Sequence, residues 1–335
     1  MDTLVIPATE LSPAMWASWH QLQQQNSTLR NPFFCPEFTQ AAARVRSDIH
    51  VGILFDEHKL PIAFLPFKKT GASRATAIDL SDYHGLISAV DQQVDLPKLI
   101  RAWGLKSFDF RYVPTNQVAF QSSLVEQSDS PSIDLAFAGA LNKEERKLRK
   151  LSREVGPVRF EPHVDDPIAL QQLIEWKRFH CQRTGFFDLL KDPWARKFLA
   201  DLQQVETSHF AGRLSALYAG DQLVAAHMGL QSATVWHWWF PSYNPDLSKY
   251  SPGLLMLLHL IGHAREEGFA EFDFGVGEEG FKQRFATGCI PCGRGRVTAT
   301  AWQHKVYQAQ WRASRRLLQS RFGSTVRSLS NYIRN

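Results

Sequence analysis

The sequence predicts an α+β fold: a mixed, mostly antiparallel sheet flanked by helices. Two observations carry that reading. Residues 210–218, 223–231 and 234–243 are strand-like runs separated only by Ala219-Gly220-Asp221 and Ser232-Ala233. Connections this short join antiparallel neighbours. Residues 49–55 and 61–67 form a second such pair around the polar turn Asp56-Glu57-His58-Lys59. The 335 residues, at roughly 150 per domain, make about two domains. A composition of 44% hydrophobic and 21% charged residues is globular and excludes disordered and collagen-like chains. Four cysteines are too few for a disulfide scaffold.

The elements follow in order. Ser12 and Pro13 open a helix over 15–25, as N-cap and first-turn proline. Asn31-Pro-Phe-Phe34 is a turn, and Pro36 starts a short helix to Arg44. Phe108, Phe110 and Tyr112 alternate with polar residues, the period of a strand with one buried face. Residues 127–132 (QSDSPS) read as a loop and 133–135 as a short strand. Residues 142–154 form a charged helix with a solvated face, closed by Gly156-Pro157. A strand over 158–161 opens the second half. Residues 167–183 are helical, with Leu170, Leu173 and Ile174 at helical spacing and Gly185 as the stop. Residues 193–204 form a further helix. After the three strands come a loop over 244–251, a proline-led helix over 252–267, a buried strand over 269–274 and a short helix over 278–285.

The net charge of +5 is unevenly placed. Residues 301–335 carry seven Lys or Arg and no Asp or Glu, which leaves 31 basic and 33 acidic groups in the other 300. The body therefore offers no electrostatic reason to bind nucleic acid. In the tail, Trp311, Leu318, Phe322, Val326, Leu329 and Ile333 share one helical stripe. That basic amphipathic helix either packs on its own domain or a partner, or lies on an anionic membrane. The first ten residues lack a signal-peptide core, and the longest apolar run, 253–262, is about half a membrane span. The expected location is the cytoplasm, with a peripheral place at the inner face of the membrane as the variant.

Several residues have the chemistry for a site. Ser248, Lys249, Ser251 and Gly253 precede or open the proline-led helix. They form either an anion cradle, with Lys249 supplying charge and Gly253 close approach, or an ordinary serine-capped helix with an exposed lysine. Asp273 lies inside a hydrophobic strand, where an unpaired carboxylate is costly. It is either a base or an acceptor for loop amides. Lys282 and Arg284 follow Gly277 and Gly280 and either meet an anionic substrate or stand exposed. In Trp236-His-Trp-Trp-Phe240, strand alternation puts Trp236, Trp238 and Phe240 on one face and His237 and Trp239 on the other. His237 is a general base or a sheet-face histidine. Cys289-Ile-Pro-Cys292 is half a zinc site with no second pair, so no metal is expected.

Ser251-Pro-Gly-Leu-Leu255, Phe272-Asp-Phe-Gly275 and Phe281-Lys282 resemble blocks of the GNAT-related acetyltransferase family of CelD-like proteins, named for cellulose biosynthesis. Asn31-Pro-Phe-Phe34 with Glu37-Phe38, Leu65-Pro-Phe67, Ser81-Asp-Tyr-His-Gly85 and the helix carrying Lys177 and Gly185 are similar to that family's earlier blocks. The resemblance spans roughly residues 31–285. It implies tandem GNAT-like halves, as in FemAB-like transferases: an acceptor-side half over 1–140, an acyl-CoA-binding half over 141–300, and the tail over 301–335. It implies an acyl-CoA-dependent N-acyltransferase that uses acetyl-CoA as co-substrate and no metal. The acceptor would be an amino sugar or related amine of exopolysaccharide or cell-envelope biosynthesis, attacking the thioester directly. On this reading Asp273 is the base, with His237 second. An N–H of the 236–240 strand meets the oxyanion, with Trp239 beside the cofactor. Ser248, Lys249, Ser251 and Gly253 hold the CoA pyrophosphate. Asp82, Tyr83, His84, Tyr243, Lys282 and Arg284 line the acceptor site, Lys282 falling where FemAB-type enzymes carry a lysine for a phosphorylated substrate. FemAB-like transfer from aminoacyl-tRNA, and a non-catalytic scaffold of a polysaccharide synthesis complex contacted through the tail, are the alternatives. The leading reading involves no nucleic acid.

Overall fold

The computed structural model of the chain describes residues 2–136, 144–277 and 280–319, with side chains to 316. The first half runs β1 (Asp2–Pro7), α1 (Pro13–Gln25), α2 (Pro36–Val45), β2 (Ile49–Phe55), β3 (Pro61–Gly71), β4 (Arg74–Thr76), β5 (Ile87–Ser88), α3 (Leu96–Ala102), β6 (Ser107–Pro114), α4 (Val118–Gln121) and β7 (Leu124–Asp134). The charged helix α5 (Glu145–Glu154) leads into the second half. That half runs β8 (Val158–Glu161), α6 (Pro167–Thr184), α7 (Pro193–Gln203), β9 (Phe210–Ala219), β10 (Gln222–Ser232), β11 (Val235–Tyr243), α8 (Pro252–Glu266), β12 (Glu271–Asp273), α9 (Gly280–Phe285) and β13 (Gly288–Thr298). Helix α10 (Ala301–Gln319) follows. With the two-residue β5 set aside, each half repeats one order: strand, two helices, three strands, helix, strand, helix, strand.

Local chemistry sets the helix starts. Pro13, Pro36, Pro167, Pro193 and Pro252 each open a helix, where the missing N–H has no intrahelical partner to lose. Ser12 caps α1 through Met15 N, and Gly185 ends α6 at φ 72°. The stretch 244–251, expected as a loop, holds a 3₁₀ turn over Pro245–Tyr250.

All thirteen strands form one sheet, in the order β1-β2-β3-β4-β6-β13-β7-β12-β11-β10-β9-β8, with β5 beside β3. The order contains an exchange. Strand β13, last of the second half, lies between β6 and β7 and pairs antiparallel with both. Strand β7, last of the first half, pairs with β12. Each half thus completes the other's sheet. The expected loop at 127–132 is corrected by this: those residues sit inside β7, and their polarity serves a buried site described below. Strand β13 tolerates Gly293 and Gly295 because it must. A Cβ on Gly295 would stand 2.0 Å from the Ser123 carbonyl oxygen, and one on Gly293 2.2 Å from a Leu124 methyl.

On one face of the sheet, α1, α2, α6 and α7 share a core that draws on both halves, including Trp19, Phe34, Phe38, Phe198, Leu202 and Trp239. On the other face α3 covers the first half over Leu99, Trp103 and Phe108. Helix α8 covers the second over Leu257, Leu260, Trp236 and Phe272. Helix α10 packs on β13: Arg294 lies 4.7 Å over the Trp311 ring and Arg296 4.6 Å over Tyr307. The side chain of Leu318 and the stripe residues Phe322, Val326, Leu329 and Ile333 lie outside the described residues. Among the described residues no helix is long and apolar enough to cross a membrane.

The exchange makes the halves interdependent. A chain ending at residue 136 lacks both ladder partners of β7 and the outer partner of β6. Such a fragment should show no cooperative thermal transition by circular dichroism, and co-expression with residues 144–335 should restore one.

Candidate active site

The site forms where two parallel strands part. Strands β11 and β12 pair through only three positions: Val235 with Glu271, Trp236 with Phe272 and His237 with Asp273. Beyond them β11 continues to Tyr243 along β10, while the other chain turns away at Gly275, at φ 70°. A wedge opens between them. Strand β11 also carries a bulge: Phe240 faces Met228 and His237 faces Leu230, so Trp238 and Trp239 together oppose Gly229. The extra residue shifts the alternation. Phe240, expected on the side of Trp236 and Trp238, instead lies beneath the Lys177 ammonium at 5.7 Å and packs with Trp239.

At the closed end of the wedge is a buried polar network. Asp273 has no exposed surface. Its Oδ2 accepts from Tyr83 Oη at 2.7 Å and Asn31 Nδ2 at 3.0 Å. Its Oδ1 accepts from Gly275 N at 2.7 Å and Ser130 Oγ at 3.1 Å. His237, also fully buried, places Nδ1 3.5 Å from Asp273 Oδ1 and donates through Nε2 to Asp82 Oδ2 at 3.0 Å. Burial opposes the imidazolium, but the charge of Asp273 and hydrogen bonds to Asp273 and Asp82 outweigh it and carry the His237 pKa to about 9. Burial likewise works against the Asp273 carboxylate, yet the His237 charge and the surrounding donors hold its pKa below the ordinary value. The surroundings of His237, with a carboxylate near each ring nitrogen and the Asn31 amide 3.3 Å from Nδ1, thus favour the imidazolium. Of the three groups only Asp82 reaches solvent, with 34% of its side chain exposed.

The first half supplies this end of the network on a clamped loop. Trp239 Nε1 donates to the Leu80 carbonyl at 3.0 Å, and His84 N donates to Tyr112 O at 3.3 Å. Gly275 sits at φ 70°, where a side chain is strained, and a Cβ there would stand tightly, 3.1 Å from Asp82 Oδ2 and 3.3 Å from His237 Nε2.

The open end of the wedge is a groove of about 630 Å³. The last turns of α6 wall it with Trp176, Lys177, His180 and Arg183, α8 contributes Gly253 and Leu257 from its start, and α9 contributes Phe281 and Arg284. Trp238 and Tyr243 line it from β11. Burial, then the charges of Lys177 and Arg183, lower the His180 pKa. The Lys and Arg side chains of the lining are Lys177, Arg183 and Arg284, the last paired with Glu144 at 3.2 Å.

The residues singled out from the sequence divide accordingly. Gly253, Ser251, Tyr243 and Arg284 line the groove. Ser251 sits at φ 55° and does not cap α8 through its side chain. Ser248 is exposed. Lys249 lies 3.7 Å from Glu154 and 4.8 Å over the Tyr250 ring, outside the groove walls. Lys282, expected at the acceptor, is buried, and its ammonium meets the carbonyls of Gly275 and Val276 at 3.3 and 3.5 Å. Tyr83 is buried on Asp273. His84 is buried on the Arg111 and Ile78 carbonyls, and burial drives its pKa to about 4. Neither lines the groove. Asp273, expected as the base, spends its lone pairs on internal donors, and His237 has no exposed atom. The Trp239 N–H, within the strand expected to meet the oxyanion, donates instead to His227 Nε2 at 3.2 Å. Cys289 is exposed and Cys292 buried, and no group of His, Cys, Asp or Glu among the described residues is arranged to hold a metal ion. The site roles of Asn31, Ser130 and Arg183 escape the sequence reading. For Arg183 a signal existed: Trp176, His180 and Arg183 recur at helical spacing along an otherwise core-facing helix.

Residues 140–283 match the family model described as an acetyltransferase (GNAT) domain. Over that stretch the chain is similar to acyltransferases. Its whole architecture is similar to that of FemX, at 11% identity and TM-score 0.56, covering 92% of this chain and 99% of that one. It is also similar to L-PGS from Bacillus licheniformis, at 12% and 0.55, covering 89% and 94%. A tandem GNAT protein from the clavulanic acid biosynthesis pathway aligns at 9% and 0.53, covering 89% and 98%. At these identities the likeness is one of fold, and it places the parting of β11 and β12 inside a GNAT domain. No curated protein matches the chain by sequence.

The ion pair has a pH signature. A His237 pKa raised from 6.5 to about 9 contributes stability that is complete below pH 6.5 and lost as pH rises through 9. The contribution is on the order of 3 kcal/mol. Urea denaturation of the native chain should show that loss between pH 6.5 and 9, and His237→Gln should be less stable at pH 6 but flat across the same window.

Proposed function

We propose that the protein is an acyl-CoA-dependent N-acyltransferase whose acceptor amine is received at Asp82. One observation carries this reading: the groove and the buried network border the same strand divergence. Trp238 of the groove follows His237 of the network directly in β11, at the point where β12 leaves it. A thioester entering along the groove and an amine arriving at Asp82 would meet in the wedge.

The groove fits the donor. The start of the 15-residue α8 supplies the positive end of a helix dipole, and Lys177, Arg183 and Arg284 add charge suited to phosphates. Leu257, Trp238 and Phe281 supply apolar wall for the pantetheine arm. Asp82 fits the acceptor. It attracts an ammonium group and takes one proton from it, so that the neutral amine attacks the thioester carbon. As the C–S bond breaks, the second nitrogen proton passes to the departing sulfur and CoA leaves as the thiol. The imidazolium of His237 keeps Asp82 in place, and Asp273 keeps His237 charged. This assignment replaces Asp273 with Asp82 as the base. The CelD-like resemblance supports an amino sugar of the cell envelope as the acceptor. The FemX likeness keeps aminoacyl-tRNA as a second donor class, which the same three cations would also attract.

Thiol release from acetyl-CoA, with glucosamine as trial acceptor, tests the reading. Asp82→Asn should lower kcat by about 10²-fold or more while leaving the KM for CoA unchanged. Arg183→Ala should do the reverse, raising that KM with kcat retained. Absence of CoA binding, together with turnover of aminoacyl-tRNA that falls steeply with salt, would favour the second donor instead.

A further inference from the structure

The first half holds a second groove, of about 400 Å³, in the position that repeats the first. The donor groove lies among the end of α6, the start of α8 and α9. In the element order of the first half, α1, α3 and α4 take those three places. The second groove is lined by Asn26 and Thr28 just beyond α1, by Leu96 and Pro97 at the start of α3, and by Val118 and Ala119 of α4.

Its chemistry is not that of its counterpart. Among the described residues no Lys, Arg or His lines it. Helix α3 has only seven residues, and the Asp95 carboxylate caps it, accepting from Lys98 N at 3.0 Å. The Asp95 carboxylate, paired with Lys98 Nζ at 3.0 Å, thus occupies the helix start where a pyrophosphate would have to sit, and with no cation in the described lining the groove is not suited to CoA. Its polar walls are instead amides and hydroxyls, among them Gln92, Gln93, Asn116 and Ser122. Each such group donates and accepts, which suits a ligand whose hydroxyls do both. Val90 and Val118, 61% and 63% exposed, add apolar surface to the walls, suited to the C–H face of a sugar ring.

The groove is tied to the amine site by one short loop. Gln117 Oε1 holds Leu86 N at 2.8 Å, and Leu86 and Ser88 line the groove. Asp82 lies four residues before Leu86. A fully extended chain spans at most ~3.6 Å per residue, so their Cα atoms are within about 14 Å of each other, a reach of a few sugar units.

We propose that this groove binds an uncharged, polyhydroxylated part of the acceptor, a neutral sugar unit, while the acceptor's amine lies at Asp82. The proposal rests on the amine-acceptor reading for its place in the reaction, but the binding it asserts is measured without turnover. Saturation-transfer NMR of N,N′-diacetylchitobiose with the full chain is the test. Binding should persist under saturating CoA. Ser122→Trp, which fills the groove from an exposed position, and Asn116→Ala should each weaken it, the former by at least tenfold, in proteins of native thermal midpoint. Absence of saturation transfer at millimolar probe, displacement of the probe by CoA, or undiminished binding by both folded variants would overturn the proposal. A chain that binds the probe yet releases no thiol from acetyl-CoA would keep this assignment and sink the donor reading alone.

Discussion

The carboxylate of Asp273 is the constraint around which the two halves are assembled. An ion with no exposed surface loses several kcal/mol of hydration, and only close donors and a counter-charge restore it. The second half can offer His237 and the Gly275 amide. Asn31, Tyr83 and Ser130 come from the first half and from the exchanged strand β7. Neither half alone can bury this charge at tolerable cost. The strand exchange and the ion network are therefore two expressions of one requirement: β7 must lie beside β12 for Ser130 to reach Asp273, and β13 must then fill the space between β7 and β6.

That arrangement also shapes the wedge. Strands β11 and β12 separate immediately after the pair His237 and Asp273, because the chain beyond Asp273 is drawn into a turn by the Gly275 amide that bonds its carboxylate. The bulge at Trp238 and Trp239 leaves one strand amide without a ladder partner, and His227 takes it up. His227 is stacked at 4.3 Å on Trp238, and burial, with the nearby His237 charge, holds it well below its ordinary pKa and so neutral. An imidazolium could not accept that N–H. The charge of His237 on one side of the strand thus helps keep the acceptor on the other side in its accepting form.

Much of this fold can be read from the sequence, because prolines, glycines and turn residues punctuate the helices and the second-half strands. Strand β13 could not be read: Gly, Pro, Cys and Arg in 288–298 carry no strand signature, and the glycines answer to Ser123 and Leu124, which are far away in the chain. Strand β7 was hidden for the opposite reason, since its serines look like loop chemistry until a buried carboxylate is placed beside them. At the site, Asp273 and His237 are conspicuous as polar residues in apolar strands. Their roles are not, because those depend on partners 242 and 190 positions away, Asn31 and Tyr83. Sequence position alone made Asp273 a base. Burial, on the proposed reading, makes it the support of one.

On the proposed reading, charge counting favours the exposed end of the chain of groups as the reactive one. Two carboxylates and one imidazolium leave the network with one net negative charge. Asp273 is surrounded by four hydrogen-bond donors and Asp82 by far fewer, so the charge that an incoming ligand can still stabilise is the one at Asp82. An ammonium group docking there completes a neutral cluster, which is the favourable state for a network whose other two charged groups are closed off from water. When the amine attacks, its proton has only a short transfer to the same oxygen atoms, and the buried pair behind them need not move. A base placed at Asp273 would have to release an internal donor first, and each such bond lost leaves an unsatisfied group in the core.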